Sequence, residues 1–125
     1  MLPYQFPHEK LSVWQDSRQI VKQIYQITRR FPSEEKYGTV SQVNRASVSI
    51  ASNLAEGRSR TRLKDQAHFT QLAYSSLMEL SCQLTLSSDL GFIDDNIHQE
   101  IRIPISQMAY KLNALRKSQL TRINN

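Results

Sequence analysis

Apolar residues recur along this chain at alternating steps of three and four, the spacing that lines up one face of an α-helix. Val13, Ser17, Ile20, Ile24, Ile27 and Phe31 make the first stripe, backed by a wet face of Gln15, Arg18, Lys22, Gln26 and Arg29. Pro32 forces the residue before it out of helical angles, so the first helix is predicted over residues 12–31. Val40, Val43, Ser47, Ile50 and Leu54 define a second helix over 39–56, with Gly57 in the usual place of a left-handed C-terminal cap. Phe69, Ala73, Leu77, Leu80 and Leu84 define a third over 63–89, with Gly91 just beyond it. Ile97, Ile101, Ile105, Met108, Leu112 and Leu115 define a fourth over 95–118, with Asp94, Asp95 or Asn96 available as N-cap. Pro104 is its weak point, where the helix either kinks or has only just begun. Residues 1–10 read as an irregular lead-in, and the last residues as a frayed tail.

Short connections make successive helices antiparallel neighbours. The expected fold is therefore all-α, a single up-down-up-down four-helix bundle, and 125 residues suffice to remove roughly two-thirds of the unfolded surface from water. No apolar run reaches the length that crosses a bilayer, and the first residues lack a basic start followed by an apolar signal core. No membrane is expected among the partners, and the cytoplasm is the expected compartment. Cys82 is the sole cysteine, which excludes an internal disulfide.

Two back faces depart from the ordinary. On helix two, Arg45, Ser49, Ser52 and Glu56 lie opposite the core stripe, where long charged side chains are usual, and Ala46, Ala51 and Ala55 flank them. On helix three, Ser75, Met78, Cys82 and Leu86 face away from the core. With Asn53 and Glu79 these residues form a candidate subunit interface. A serine-rich face exposed to water is the plainer reading of the same pattern.

The formal charge is +5, and in the expected topology it is unevenly spread. Arg58, Arg60, Arg62 and Lys64 follow helix two, and Lys111, Arg116, Lys117 and Arg122 come from helix four at the same end of the bundle. Glu9, Glu56 and Asp65 are the nearby acids, while Glu34, Glu35, Asp89, Asp94, Asp95 and Glu100 gather at the far end, partly offset by Arg29, Arg30, Lys36 and Arg102. Clustered cations neutralise phosphates and release condensed counterions, so the eight basic residues are candidate contacts to an RNA or DNA backbone. No aromatic residue interleaves with the loop arginines to stack on bases. The plainer reading is a solvated end whose arginines pair with neighbouring carboxylates.

Catalytic patterns are sparse. There is no phosphate-binding glycine loop, no dinucleotide fingerprint and no His or Cys cluster at metal-ligand spacing, so neither cofactor nor metal is expected. Asp65 and His68 share a helix face, but two ligands do not define a metal site. Cys82 has no His or basic residue beside it on its helix, and Trp14 reads as a lid on the end of the core. Arg62, Leu63 and His68 resemble, at looser spacing, the Arg–apolar–His signature of HEPN-type ribonucleases, the one enzymatic alternative in the chain.

A broader set of residues carries a resemblance. Trp14 and Gln15, then Phe31, Pro32, Glu35, Tyr37 and Gly38, then Gln42, Arg45, Ala46, Ser49, Ile50, Asn53, Ala55, Glu56, Gly57 and Arg60 resemble bacterial four-helix-bundle proteins encoded in intervening sequences of 23S ribosomal RNA genes. The likeness continues through Phe69, Ala73, Ser76, Leu77, Glu79, Leu80, Gln83 and Leu84, and its most specific part is SIASNLAEG followed by SLMEL. Asn44 stands where that family commonly has a second arginine, Ser59 and Ser75 where it has glycine, and Ser81 where it has glutamate. The resemblance implies a homopentameric ring of bundles. A similar fold serves as the accessory protein of diversity-generating retroelements, which binds nucleic acid and a reverse transcriptase. The function expected from residues and resemblance together is a non-catalytic nucleic-acid-binding or ribonucleoprotein accessory module. The alternative is a protein-interaction scaffold that recruits a partner protein.

Overall fold

A computed structural model describes residues 2–123. Four helices, α1 (Ser12–Thr28), α2 (Thr39–Arg58), α3 (Leu63–Asp89) and α4 (Asp95–Ile123), follow one another with short 3-10 turns at Pro7–Lys10 and Ser33–Glu35. Each helix packs on the next, and α4 closes back on α1, giving the antiparallel four-helix bundle that the periodicity predicts. Its interior is built from the four stripes: Ile20 and Ile24, Val43 and Ile50, Leu77, Leu80 and Leu84, and Met108 and Leu112 are all essentially withdrawn from solvent.

The helix ends differ from the sequence expectation where local chemistry overrides the stripe. α1 stops at Thr28, not at Phe31. Approaching Pro32, the chain tightens so that the Arg30 and Phe31 amides donate three residues back, to Ile27 and Thr28 at 3.1 Å each. Phe31 leaves the α1 stripe and buries at the end of the bundle against Phe92, ring centroids 5.8 Å apart. Thr28 is pinned from α1 to α2 by its hydroxyl, which donates to Asn44 Oδ1 at 2.9 Å.

Gly57 is not the left-handed cap that its position suggests. It is helical and buried, α2 continues to Arg58, and a β-carbon placed on it would lie 2.7 Å from Phe69 Cβ. The residue is small because α3 crosses there, and the helix is capped later by Ser59. Among the described residues Gly91 alone has a positive φ, +78°. It ends α3 in a Schellman arrangement, the Phe92 amide donating to Ser87 O at 2.9 Å and the Gly91 amide to Ser88 O at 3.1 Å.

α4 begins with Asp94 as its cap, Oδ1 accepting from the Asn96 amide at 2.9 Å. It starts well before Pro104 and runs through it. Proline has no amide proton, so the Glu100 carbonyl loses its intrahelical donor. Pro104 lies on the α1–α4 seam beside Gln19, Gln23 and Gln107, lining a cavity of about 160 Å³. The helix also outruns its expected end at 118, because Gln119 is buried and accepts the Thr70 hydroxyl at 2.8 Å. Asn124 and Asn125 of the expected frayed tail lie outside the described residues.

Candidate nucleic-acid interface

Three structural links bring the candidate basic residues to one end of the bundle. Gly57 and Phe69 draw the start of α3 against the end of α2. Thr70 and Gln119 fasten α3 to the last turns of α4. Leu11, just before α1, shares a crevice with Gly57, Arg58, Leu115 and Gln119.

The loop between α2 and α3 is held by its own polar groups. Ser59 Oγ donates to Glu56 O at 2.6 Å, and Gln66 Nε2 donates to Arg60 O at 2.7 Å. Arg60 pairs with Glu56 at 3.2 Å and lies 4.9 Å from the Phe69 ring centroid, so this arginine is half engaged inside the molecule. Arg58, Arg62 and Lys64 are exposed, and among the described residues no carboxylate forms an ion pair with them. Of the loop cations, Arg60 is thus the one paired with a neighbouring carboxylate, and Arg58, Arg62 and Lys64 stand in solvent.

Helix four contributes less uniformly than its sequence implies. Lys111 lies further along α4 and pairs across the α1–α4 seam with Asp16, a residue the sequence reading passed over. Asp16 sits barely one turn inside α1, on the side that meets α4, and this pair removes Lys111 from the open cluster. Arg116 is half-buried, its Nε enclosed without a partner, while Lys117 and Arg122 are exposed. Arg116 and Lys117 line an open cleft of about 260 Å³ with Asn113, Leu120 and Thr121. Arg62 and His68 are both exposed at the start of α3, and the His68 ring rests edge-on to Phe69 at 5.6 Å. Among the described residues no group of three His, Cys, Asp or Glu side chains converges to hold a metal ion.

One feature was missed from sequence. The supposed irregular lead-in carries Tyr4, Phe6 and His8, and the Pro7–Lys10 turn folds them back onto Trp14 beside α2. The available signal was the density of rings, three within five residues, running into a proline-started turn. Trp14 is half-buried against the core, as a lid would be, and also carries His8 and Arg18 on its outer side.

The family model for 23S rRNA-intervening sequence protein matches residues 9–114. The chain belongs to that family. No curated protein matches it. The match to the 23S rRNA-intervening sequence protein family takes in α1 to α3 and most of α4, reaching further into α4 than the residue resemblance does. It leaves outside it both Tyr4, Phe6 and His8 and the cations Arg116, Lys117 and Arg122. At two of its departures from the family pattern the chain finds local uses: Asn44 accepts from Thr28, and Ser59 ties down the Glu56 carbonyl.

In this family member the candidate interface residues lie on α2 and α3, which pack against each other. Arg45, Ser52, Glu56, Ser75, Met78, Glu79 and Cys82 are exposed there, with the apolar Val48, Leu72 and Leu86. Ser49 and Asn53 are partly withdrawn. Ser49 Oγ hydrogen-bonds the buried Ser76 at 2.8 Å, and Asn53 Nδ2 donates to Ser49 Oγ and O at 3.1 and 2.9 Å. Ser49 thus joins α2 to α3, while Asn53 holds Ser49 from within α2. Glu56 pairs with Arg60, and Arg45 stands exposed. Among the described residues no helix is long and apolar enough to cross a membrane.

Proposed function

We propose that this 23S rRNA-intervening sequence protein is a non-catalytic accessory module that presents its basic end to the phosphate backbone of RNA or DNA. The observation that carries the reading is that Arg58, Arg62 and Lys64 share one end of the bundle with Arg116, Lys117 and Arg122, and that among the described residues no carboxylate is paired with any of them. The module acts in the cytoplasm as a homo-oligomer, with five copies implied by resemblance. A ring repeats the basic end, and several weak phosphate contacts on one rigid scaffold gain avidity when a strand spans them.

The test is RNA binding titrated against salt, with wild type and an Arg58→Gln/Arg60→Gln/Arg62→Gln variant. Binding weakens with salt, and the variant has the shallower slope. Undetectable binding at low salt would favour the second reading, a protein-recruiting scaffold, for which the support is the exposed apolar set Val48, Leu72, Met78 and Leu86 on α2 and α3. Metal-independent cleavage abolished by His68→Ala would turn the assignment to a ribonuclease.

A further inference from the structure

Tyr4 and Phe6 hold large aromatic rings in water, 75% and 55% exposed, on a segment that is not loose. The Phe6 amide donates to Glu9 Oε1 at 2.8 Å, the Glu9 amide returns to Phe6 O at 3.1 Å, and Gln15 Nε2 donates from α1 to Glu9 O at 3.0 Å. Phe6 itself is extended, φ −73° and ψ 148°. The chain then enters the Pro7–Lys10 turn, which brings His8 under Phe6, so that the rings build a continuous ladder. Tyr4 meets Phe6 edge-on at 5.4 Å, Phe6 lies parallel to His8 at 6.0 Å, and His8 meets Trp14 edge-on at 4.7 Å. Arg18 closes the series, 5.2 Å from the Trp14 centroid.

Burial does not account for this ladder, because its outer rings stay exposed. Its surroundings suggest what it takes. Asp16 is neutralised by Lys111, and Glu9, whose Oε1 accepts the Phe6 amide, is the one carboxylate built into the turn. Arg18 is exposed beside the Trp14 ring, Lys10 is exposed at the end of the same turn, and Leu11 shares its crevice with Arg58 of the basic end. Exposed aromatic faces with Lys10 and Arg18 to outnumber Glu9 suit a strand with flat bases and a charged backbone. A duplex hides its base faces and has nothing to offer Tyr4 or Phe6.

We propose that the Tyr4–Phe6–His8–Trp14 ladder is a stacking platform for unpaired bases, so that the nucleic acid taken by the basic end is single-stranded. This rests on the basic end being a phosphate-binding surface, and adds the base contacts that surface lacks. Bases stack on the exposed faces of Tyr4 and Phe6 while the backbone passes toward Arg58 and Arg62. Stacking tolerates any base, so RNA and DNA strands share the recognised chemistry.

The test uses the whole chain with labelled oligo(U), oligo(dT), a duplex of equal charge and an abasic strand. Wild type binds both single strands more tightly than the duplex or the abasic strand. Tyr4→Ala/Phe6→Ala weakens single-strand binding about fivefold or more with an unchanged salt slope, leaves abasic binding alone, and keeps the melting temperature, since both rings are exposed. Phe6→Trp preserves binding. Tighter oligo(U) than oligo(dT) identifies RNA as the source, and equal binding assigns the site to either strand.

Equal binding of duplex and single strand, with no loss in the double alanine variant, would overturn the platform while leaving the basic end standing. A double variant that alters the oligomer mass and not strand binding would reassign the ladder to a contact between copies. Failure of every strand to bind wild type would remove both readings. Loss in the alanine variant without any effect of the arginine variant would remove the basic end alone.

Discussion

The Thr70 hydroxyl donates to Gln119 Oε1 at 2.8 Å, a buried hydrogen bond that joins the start of α3 to the last turns of α4. The two partners are not equivalent. Thr70 has a second acceptor, Gln66 O at 3.0 Å, within its own helix. Thr70→Val leaves the Gln119 oxygen buried without this donor and is expected to cost about 1–3 kcal/mol. Gln119→Leu leaves Thr70 satisfied and fills the same space, so it is expected to cost less than about 1 kcal/mol. Urea melts of the two variants measure the contrast, and hydrogen exchange over residues 116–123 reports whether the end of α4 loosens with Thr70→Val.

Gly57→Ala sets two effects against each other. Alanine favours the helix by about 1 kcal/mol. The new methyl, however, would lie 2.7 Å from Phe69 Cβ, an atom fixed to the α3 backbone, and overpacking of this kind costs about 1–3 kcal/mol. The close approach wins, because relief requires α2 and α3 to separate. A lowered thermal midpoint is the expected result.

The cations should divide in their salt response. Arg58→Gln and Arg62→Gln each reduce the slope of log affinity against log salt by about 0.7 on a single strand. Lys111→Gln leaves the slope unchanged, because Lys111 is paired with Asp16 away from the open cluster. Arg60→Gln falls between, since Glu56 and Phe69 already hold that guanidinium. Titrations of the four single variants on one oligonucleotide separate these cases.

Self-association through the exposed side chains of α2 and α3 predicts that Ser52→Arg and Ser75→Arg lower the mass in light scattering while preserving helical circular dichroism. Both side chains are exposed, so a monomer tolerates the changes. Ser49→Arg is a different experiment. It breaks the Ser49–Ser76 bond between α2 and α3, and a lower melting point is expected from the fold itself.

Ile50→Asp tests the core. Ile50 is fully buried, and an unpaired carboxylate there costs several kcal/mol against a total stability of about 5–15 kcal/mol. Loss of cooperative thermal unfolding is expected.

The four helices were legible because burial of Ile20, Ile50, Leu80 and Met108 repeats with the helical period, and a periodic demand leaves a periodic trace. Single contacts between distant residues leave none. The glycine of a helix cap and the glycine of a helix crossing look alike in sequence, and only the arrival of Phe69 distinguishes them at position 57. Asp16 reads as one polar residue among several until α4 brings Lys111 across from it. Tyr4, Phe6 and His8 alternate over too short a stretch to define an element, and their place was set by how Pro7–Lys10 folds back onto α1. Arg58, Arg60, Arg62 and Lys64 were legible as a group, but their individual availability depended on Glu56 and the Phe69 ring.

The length of α3 has an electrical consequence. Its 27 residues span about 40 Å. At physiological ionic strength that is about five screening lengths, each about 8 Å. The carboxylates around Glu34, Asp89, Asp94 and Asp95, themselves partly offset by Arg29, Arg30, Lys36 and Arg102, therefore cannot neutralise the arginines at the opposite end, and the two tips act as electrically independent sites. A polyanion close to the basic tip would therefore feel that tip's cations alone, the acidic tip being too far away to weaken the attraction.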